Sequence, residues 1–155
     1  MERQEGIEPI VRSPANVGGQ QARIDFLILA DRADVANGKL FLMGGVVDTF
    51  LVQAFPAQIT FGVALAIEVP WNATNDSLNI RVAFQDEDGG ELAAIDWPIV
   101  VGRPPHLRVG DVQRVPLALQ SLMLTVPADG LYVASAALNG REEARVSFRV
   151  RPVGL

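Results

Sequence analysis

The chain of 155 residues has no cysteine. That absence removes disulfides, thiol nucleophiles, zinc–thiolate sites, iron–sulfur clusters and thiol redox switching, and it fits a reducing compartment. Histidine occurs once, at His106, and lysine once, at Lys39, against twelve arginines. Arg, Ala, Val, Gly and Pro share GC-rich codons, so the arginine excess is read as the mark of a high-GC bacterial source and not as a binding signature. No apolar run approaches the ~20 residues of a membrane helix, and the first residues lack a basic segment followed by an apolar stretch. The expectation is a cytoplasmic protein with no membrane partner. Eighteen acidic residues against thirteen basic ones leave a net charge of −5, which repels phosphates and excludes nucleic acid as the expected partner. A sustained helical period is missing as well.

What is present is period two. From Ile59 to Val69 the chain reads ITFGVALAIEV. Ile59, Phe61, Val63, Leu65, Ile67 and Val69 fall on one phase, as on a strand with one buried face. Other strands follow the same rule. RIDFLILA places Ile24, Phe26, Ile28 and Ala30 together, and a polar loop from Asp31 to Gly38 is expected to end it. Lys39 to Leu51 reads as one strand that bulges or bends at Gly44-Gly45. SLNIRVAFQ turns at DEDGG into ELAAIDWPIVV, where Pro98, lacking an amide donor, predicts an edge strand or a break. Residues 102–113 form an irregular loop. RVPLALQSLMLTV changes phase near Gln120 and Ser121, and Asn139-Gly140 joins two alternating runs as a hairpin turn.

Seven or eight strands with no helix predict a single-domain, all-β, antiparallel β-sandwich over residues 22–152. Residues 1–21 carry Gly, Pro, Gln and Ser without periodicity and read as an irregular N-terminal arm, flexible or docked on a partner. Several motifs together resemble a family of uncharacterised bacterial β-sandwich proteins over about residues 23–151. They are Gly38-Lys39-Leu40, Gly44-Gly45-Val46-Val47-Asp48, Phe55-Pro56, and Pro127-Ala128-Asp129-Gly130-Leu131-Tyr132. The resemblance implies the sandwich fold and a bacterial origin. That family has no assigned activity, so it implies no functional residue.

No catalytic, cofactor or metal constellation stands out. His106 lies among prolines and arginines with no serine in a nucleophile-elbow context, so a hydrolase using it is kept only as an alternative. Asp86, Glu87 and Asp88, with Asp31, Asp34 and Asp48, raise a second alternative, a calcium-dependent binding domain with carboxylates on its loops. Asp and Gly are also ordinary turn residues, and DEDGG reads first as a solvated hairpin turn. Arg103 and Arg108 make a basic loop able to grip an acidic partner. Arg141, Arg145, Arg149 and Arg151 either do the same or guard the edge of the last strand. The second phase of the Ile59–Val69 strand, Thr60, Gly62, Ala64 and Ala66, is small enough to let another backbone approach. Ile7, Ile10 and Val11 are the apolar residues with which the arm would dock. The reading that follows is a non-enzymatic protein-binding or assembly module that forms a homo-oligomer.

Overall fold

The computed structural model describes residues 21–154. They build nine strands, β1 (Arg23–Ala36), β2 (Lys39–Gly45), β3 (Thr49–Val52), β4 (Ala57–Pro70), β5 (Ser77–Asp86), β6 (Glu91–Val100), β7 (Val112–Val126), β8 (Gly130–Leu138) and β9 (Arg141–Pro152). A single 3-10 turn at Trp71–Ala73 interrupts them. The strands form two sheets, one of four in the order β2-β1-β4-β7 and one of five in the order β3-β9-β8-β5-β6.

The all-β expectation holds, but the strand count is nine, not seven or eight. The extra strand comes from Lys39–Leu51, which is two strands in different sheets. Gly44 (φ 63°) and Val46 (φ 64°) take left-handed backbone, so the chain turns out of the first sheet and re-enters the second as β3. There it pairs in parallel with β9, Thr49 opposite Arg149 and Val52 opposite Pro152. The pairing is therefore not wholly antiparallel. β9 accordingly lies inside the sheet over its last residues, and Arg149 and Arg151 do not guard an edge there.

β1 also departs from expectation, in both length and phase. A register shift between Ile24 and Phe26 reverses the alternation, because one inserted residue exchanges the two faces of a strand. Ile24, Leu27 and Leu29 are buried, while Phe26 and Ile28 are half-buried. The strand continues through the expected polar loop to Ala36.

β4 follows the period-two reading closely. All six large residues from Ile59 to Val69 are at most 5% exposed. Phe61 meets Phe84 and Phe148 of the other sheet at ring-centroid distances of 5.4 and 6.2 Å, and Phe148 stacks on Tyr132 at 5.8 Å. The apolar faces of the two sheets thus share one core. Pro98 sits in β6, an edge strand, as its missing donor requires. Opposite Gly62 the β4–β7 register shifts, which accounts for the phase change at Gln120 and Ser121. Asn139 (φ 50°) and Gly140 (φ 85°) both take positive φ in the final hairpin.

Candidate functional site: the free edge of the β1–β2 ribbon

β1 and β2 are joined by Asn37-Gly38, a two-residue turn with φ 51° and 70°. This is the same Asn-Gly signal that marks the last hairpin, and it lies at the end of the Asp31–Gly38 stretch. The register runs from Ala36 opposite Lys39 to Ala30 opposite Gly45. With a two-residue loop the flanking pair is hydrogen-bonded, so Lys39, Phe41 and Met43 turn their backbone groups toward β1. The N–H and C=O groups of Leu40 and Leu42 aim the other way. Among the described residues β2 is the outermost strand of its sheet, so there these groups form an open edge. Apolar side chains line that edge, with Phe41 55% and Met43 67% exposed. Between the ribbon and β7 lies a cleft of about 350 Å³, lined by Arg32, Ala33, Asp34, Phe41, Met43 and Gln120. Gln120 Nε2 donates to Asp34 Oδ1 at 2.7 Å and ties the ribbon to β7.

The ribbon reaches this position because β1 passes over Gly62. A Cβ at Gly62 would stand 2.7 Å from the Ala33 nitrogen and 3.0 Å from the Arg32 carbonyl carbon, so only glycine lets the two backbones approach this closely. The small-residue face is expected to let another backbone approach, and at Gly62 a backbone does. At Gly62 that face is already occupied by the chain's own β1. Ala64 and Ala66 are buried, paired with Ile28 and Ala118 and with Phe26 and Pro116, and Thr60 alone of the four is exposed. Ile7, Ile10 and Val11 lie outside the described residues.

The other candidates are dispersed. Arg103 works within the fold. Its Nε donates to Thr74 Oγ1 at 2.7 Å and its Nη2 to the Trp71 carbonyl at 3.0 Å, and its guanidinium lies 3.6 Å over the Trp71 ring. Thr74 is itself buried and donates to the Trp71 carbonyl. Arg103 thus pins the 71–74 turn to the loop after β6, with its Nε and Nη2 donors used inside the chain and one face of the guanidinium on the Trp71 ring. Arg108 is exposed in that loop, its backbone N–H donating to Asp111 Oδ2 at 2.9 Å. His106 is exposed nearby, and no hydrogen bond to an acid or a serine is described for it. Asp86 Oδ1 accepts from the amides of Asp88 and Gly90 at 3.0 and 2.8 Å, which is how an aspartate holds a turn. Among the described residues no group of three His, Cys, Asp or Glu side chains is arranged to hold a metal.

The arginines of the last strand are paired with acids of the same chain. Arg141 meets Glu143 at 2.6 Å, Arg145 meets Glu142 at 3.0 Å, Arg149 meets Asp48 at 3.7 Å and Arg151 meets Asp129 at 2.5 Å. Glu142 raises the Arg145 guanidinium further above its ordinary value by its hydrogen bond and then by its charge.

Residues 25–151 match the model of a family described only as a family of unknown function, DUF6941. The chain belongs to that family. The matched range agrees with the stretch over which the sequence motifs resemble an uncharacterised family. No curated protein matches the chain. Among solved structures it is similar to the Pseudomonas fluorescens alkylpurine DNA glycosylase AlkC bound to DNA containing an abasic site analog. That likeness has 15% identity and a TM-score of 0.36, covering 60% of this chain and 26% of the other. The chain therefore spans about a quarter of that structure's length, and at this level of similarity the likeness carries no argument about function. No helix among the described residues is long and apolar enough to cross a membrane.

Proposed function

We propose that the chain is a bacterial, cytoplasmic, non-enzymatic protein-binding or assembly module, built as a β-sandwich, that associates with copies of itself. The sandwich reading is supported by the phenylalanines that meet between the sheets and by the strand order. β5, β8 and β9 are neighbours in one sheet and β1, β4 and β7 in the other, the grouping that strands C, F, G and A, B, E have in immunoglobulin-like sandwiches. Tyr132, at the start of β8, donates from its hydroxyl to the Ala128 carbonyl four residues upstream at 2.5 Å. This matches the tyrosine corner of such folds, and a fold shared by many activities implies none.

The observation that carries the functional reading is the open edge of β2 with Phe41 and Met43 exposed along it. Unpaired strand edges template pairing with another chain, and proteins that stay monomeric blunt them with charge, proline or a bulge. Here the one charge on the strand is Lys39, at its end. Exposed aromatic and methionine side chains beside a cleft are the composition of a contact surface. Sedimentation of the full chain from low to high micromolar concentration tests the reading. A mass that rises toward an oligomer, and falls to a monomer in Phe41→Asp/Met43→Asp, is expected. A monomer throughout would refute self-association.

A further inference from the structure

We infer that the open edge of β2 receives the N-terminal segment of a neighbouring copy, residues 7–12 adding a strand beside Leu40 and Leu42. This rests on the self-association proposed above and names the surfaces that make it. Arg12 lies nine residues before Gln21, and extended chain advances about 3.3 Å per residue, so the segment can begin roughly 30 Å from that point. Gln21 stands at the beginning of β1, whereas β2 pairs with the far half of that 14-residue strand.

Within one copy, the link from Arg12 to Gln21 would have to run the length from Arg23 to Arg32, about 30 Å by the same rise, with no slack to turn at the end of the sheet. Exchange between two copies keeps the same link but lets the receiving edge of the neighbour lie nearer to Gln21. It also joins like elements symmetrically, the usual form of a closed assembly.

The chemistry of the segment fits an edge. In residues 7–12, Ile-Glu-Pro-Ile-Val-Arg, Pro9 lacks an amide. Along an extended strand it shares a phase with Ile7 and Val11, so Glu8, Ile10 and Arg12 turn their backbone groups the opposite way. Pairing through Glu8 and Ile10 directs the missing donor of Pro9 away from β2, the one placement that leaves every ladder bond possible. On the receiving side the free groups belong to Leu40 and Leu42. Both sides carry charges that can pair, Lys39, Arg32 and Asp34 at the edge and cleft and Glu5, Glu8 and Arg12 in the segment. Main-chain pairing supplies the attachment, and the apolar side chains, Ile7 and Val11 on one face of the added strand and Ile10 on the other, supply the selectivity, as in other cases of strand addition.

The test uses the full chain and two variants, Ile7→Ser/Ile10→Ser/Val11→Ser and Ile10→Pro. Each is followed by sedimentation and by amide hydrogen exchange at Leu40 and Leu42. The unaltered chain is expected to self-associate, with these two amides exchanging about tenfold or more slowly than in either variant, both variants running as monomers. Circular dichroism identical across the three excludes unfolding as the cause. Association that persists in both variants, with fast exchange at Leu40 and Leu42 throughout, overturns the segment's role while leaving self-association standing. A chain that is monomeric at every concentration overturns both, and slow exchange at these amides in such a monomer places the segment on its own edge.

Discussion

Gly62→Ala puts a Cβ where the backbone of β1 already is. Its nearest neighbours would be the Ala33 nitrogen at 2.7 Å, the Arg32 carbonyl carbon at 3.0 Å and the Ala33 Cβ at 3.2 Å. The first two belong to the main chain, so relief requires the ribbon to lift from β4 rather than a side chain to swing aside. Two effects compete. Replacing glycine by alanine reduces the freedom of the unfolded chain and, in open space, stabilises by about 0.4–1 kcal/mol. Overpacking a close contact costs about 1–3 kcal/mol. Because the contacts are shorter than carbon atoms tolerate and the obstacle is backbone, overpacking wins, and a net loss of about 1–2 kcal/mol is expected. With a urea m-value of about 1–3 kcal/mol/M, the midpoint falls by roughly 0.3–2 M. Gly102, with nothing within 4 Å of its would-be Cβ, is the control, and Gly102→Ala should leave the midpoint unchanged or raise it. A Gly62→Ala chain that unfolds at or above the original midpoint, with the same m-value, would show that β1 does not cross β4 at this position.

Truncating Leu65, fully buried on β4, to Ala should cost about 2–5 kcal/mol, whereas Thr60→Ala, at the exposed position of the other face, should stay within about 0.5 kcal/mol; equal losses in urea unfolding would contradict the assigned burial. Arg103→Ala removes the donors to Thr74 and Trp71 and the ring contact, at a cost of about 1–3 kcal/mol. Arg103→Lys should not restore it, because one ammonium cannot reproduce the planar fork, and a lysine variant with the original thermal midpoint would refute the clamp.

Arginine titrates far above neutral pH, so the pairs at Arg81 and Arg145 leave a recognisable sign. Glu91 and then Asp96 raise the Arg81 guanidinium by hydrogen bonding, and Glu142 does the same for Arg145. A cation with a raised folded value adds stability that is complete below its unfolded value and lost only as pH climbs through the folded one. Between pH 6 and pH 9 these two arginines should therefore contribute no slope, and Arg145→Gln should leave the shape of a stability–pH curve unchanged over that window.

The alternation in Ile59–Val69, the turns at DEDGG and Asn139-Gly140, and the edge placement implied by Pro98 were legible because each depends on a few adjacent residues. Period two assigns faces, glycine and asparagine permit positive φ, and proline lacks a donor wherever it sits. Those rules by themselves determined an all-β chain, most of its core and the final hairpin. They could not say which surface lies on a given face. Gly44-Gly45 suits a bulge within one strand as well as a passage between two sheets, and only the parallel pairing of β3 with β9 decided for the passage. Thr60, Gly62, Ala64 and Ala66 read as an open small-residue face until β1 was found lying on Gly62. Arg103 reads from the sequence as part of a basic loop, and only the fold brings Trp71 and Thr74 to its guanidinium. In each case the deciding partner is distant in sequence, brought there by the strand order. The exposed edge of β2 arises the same way, because only the arrangement of the sheets determines which strand is left without a neighbour.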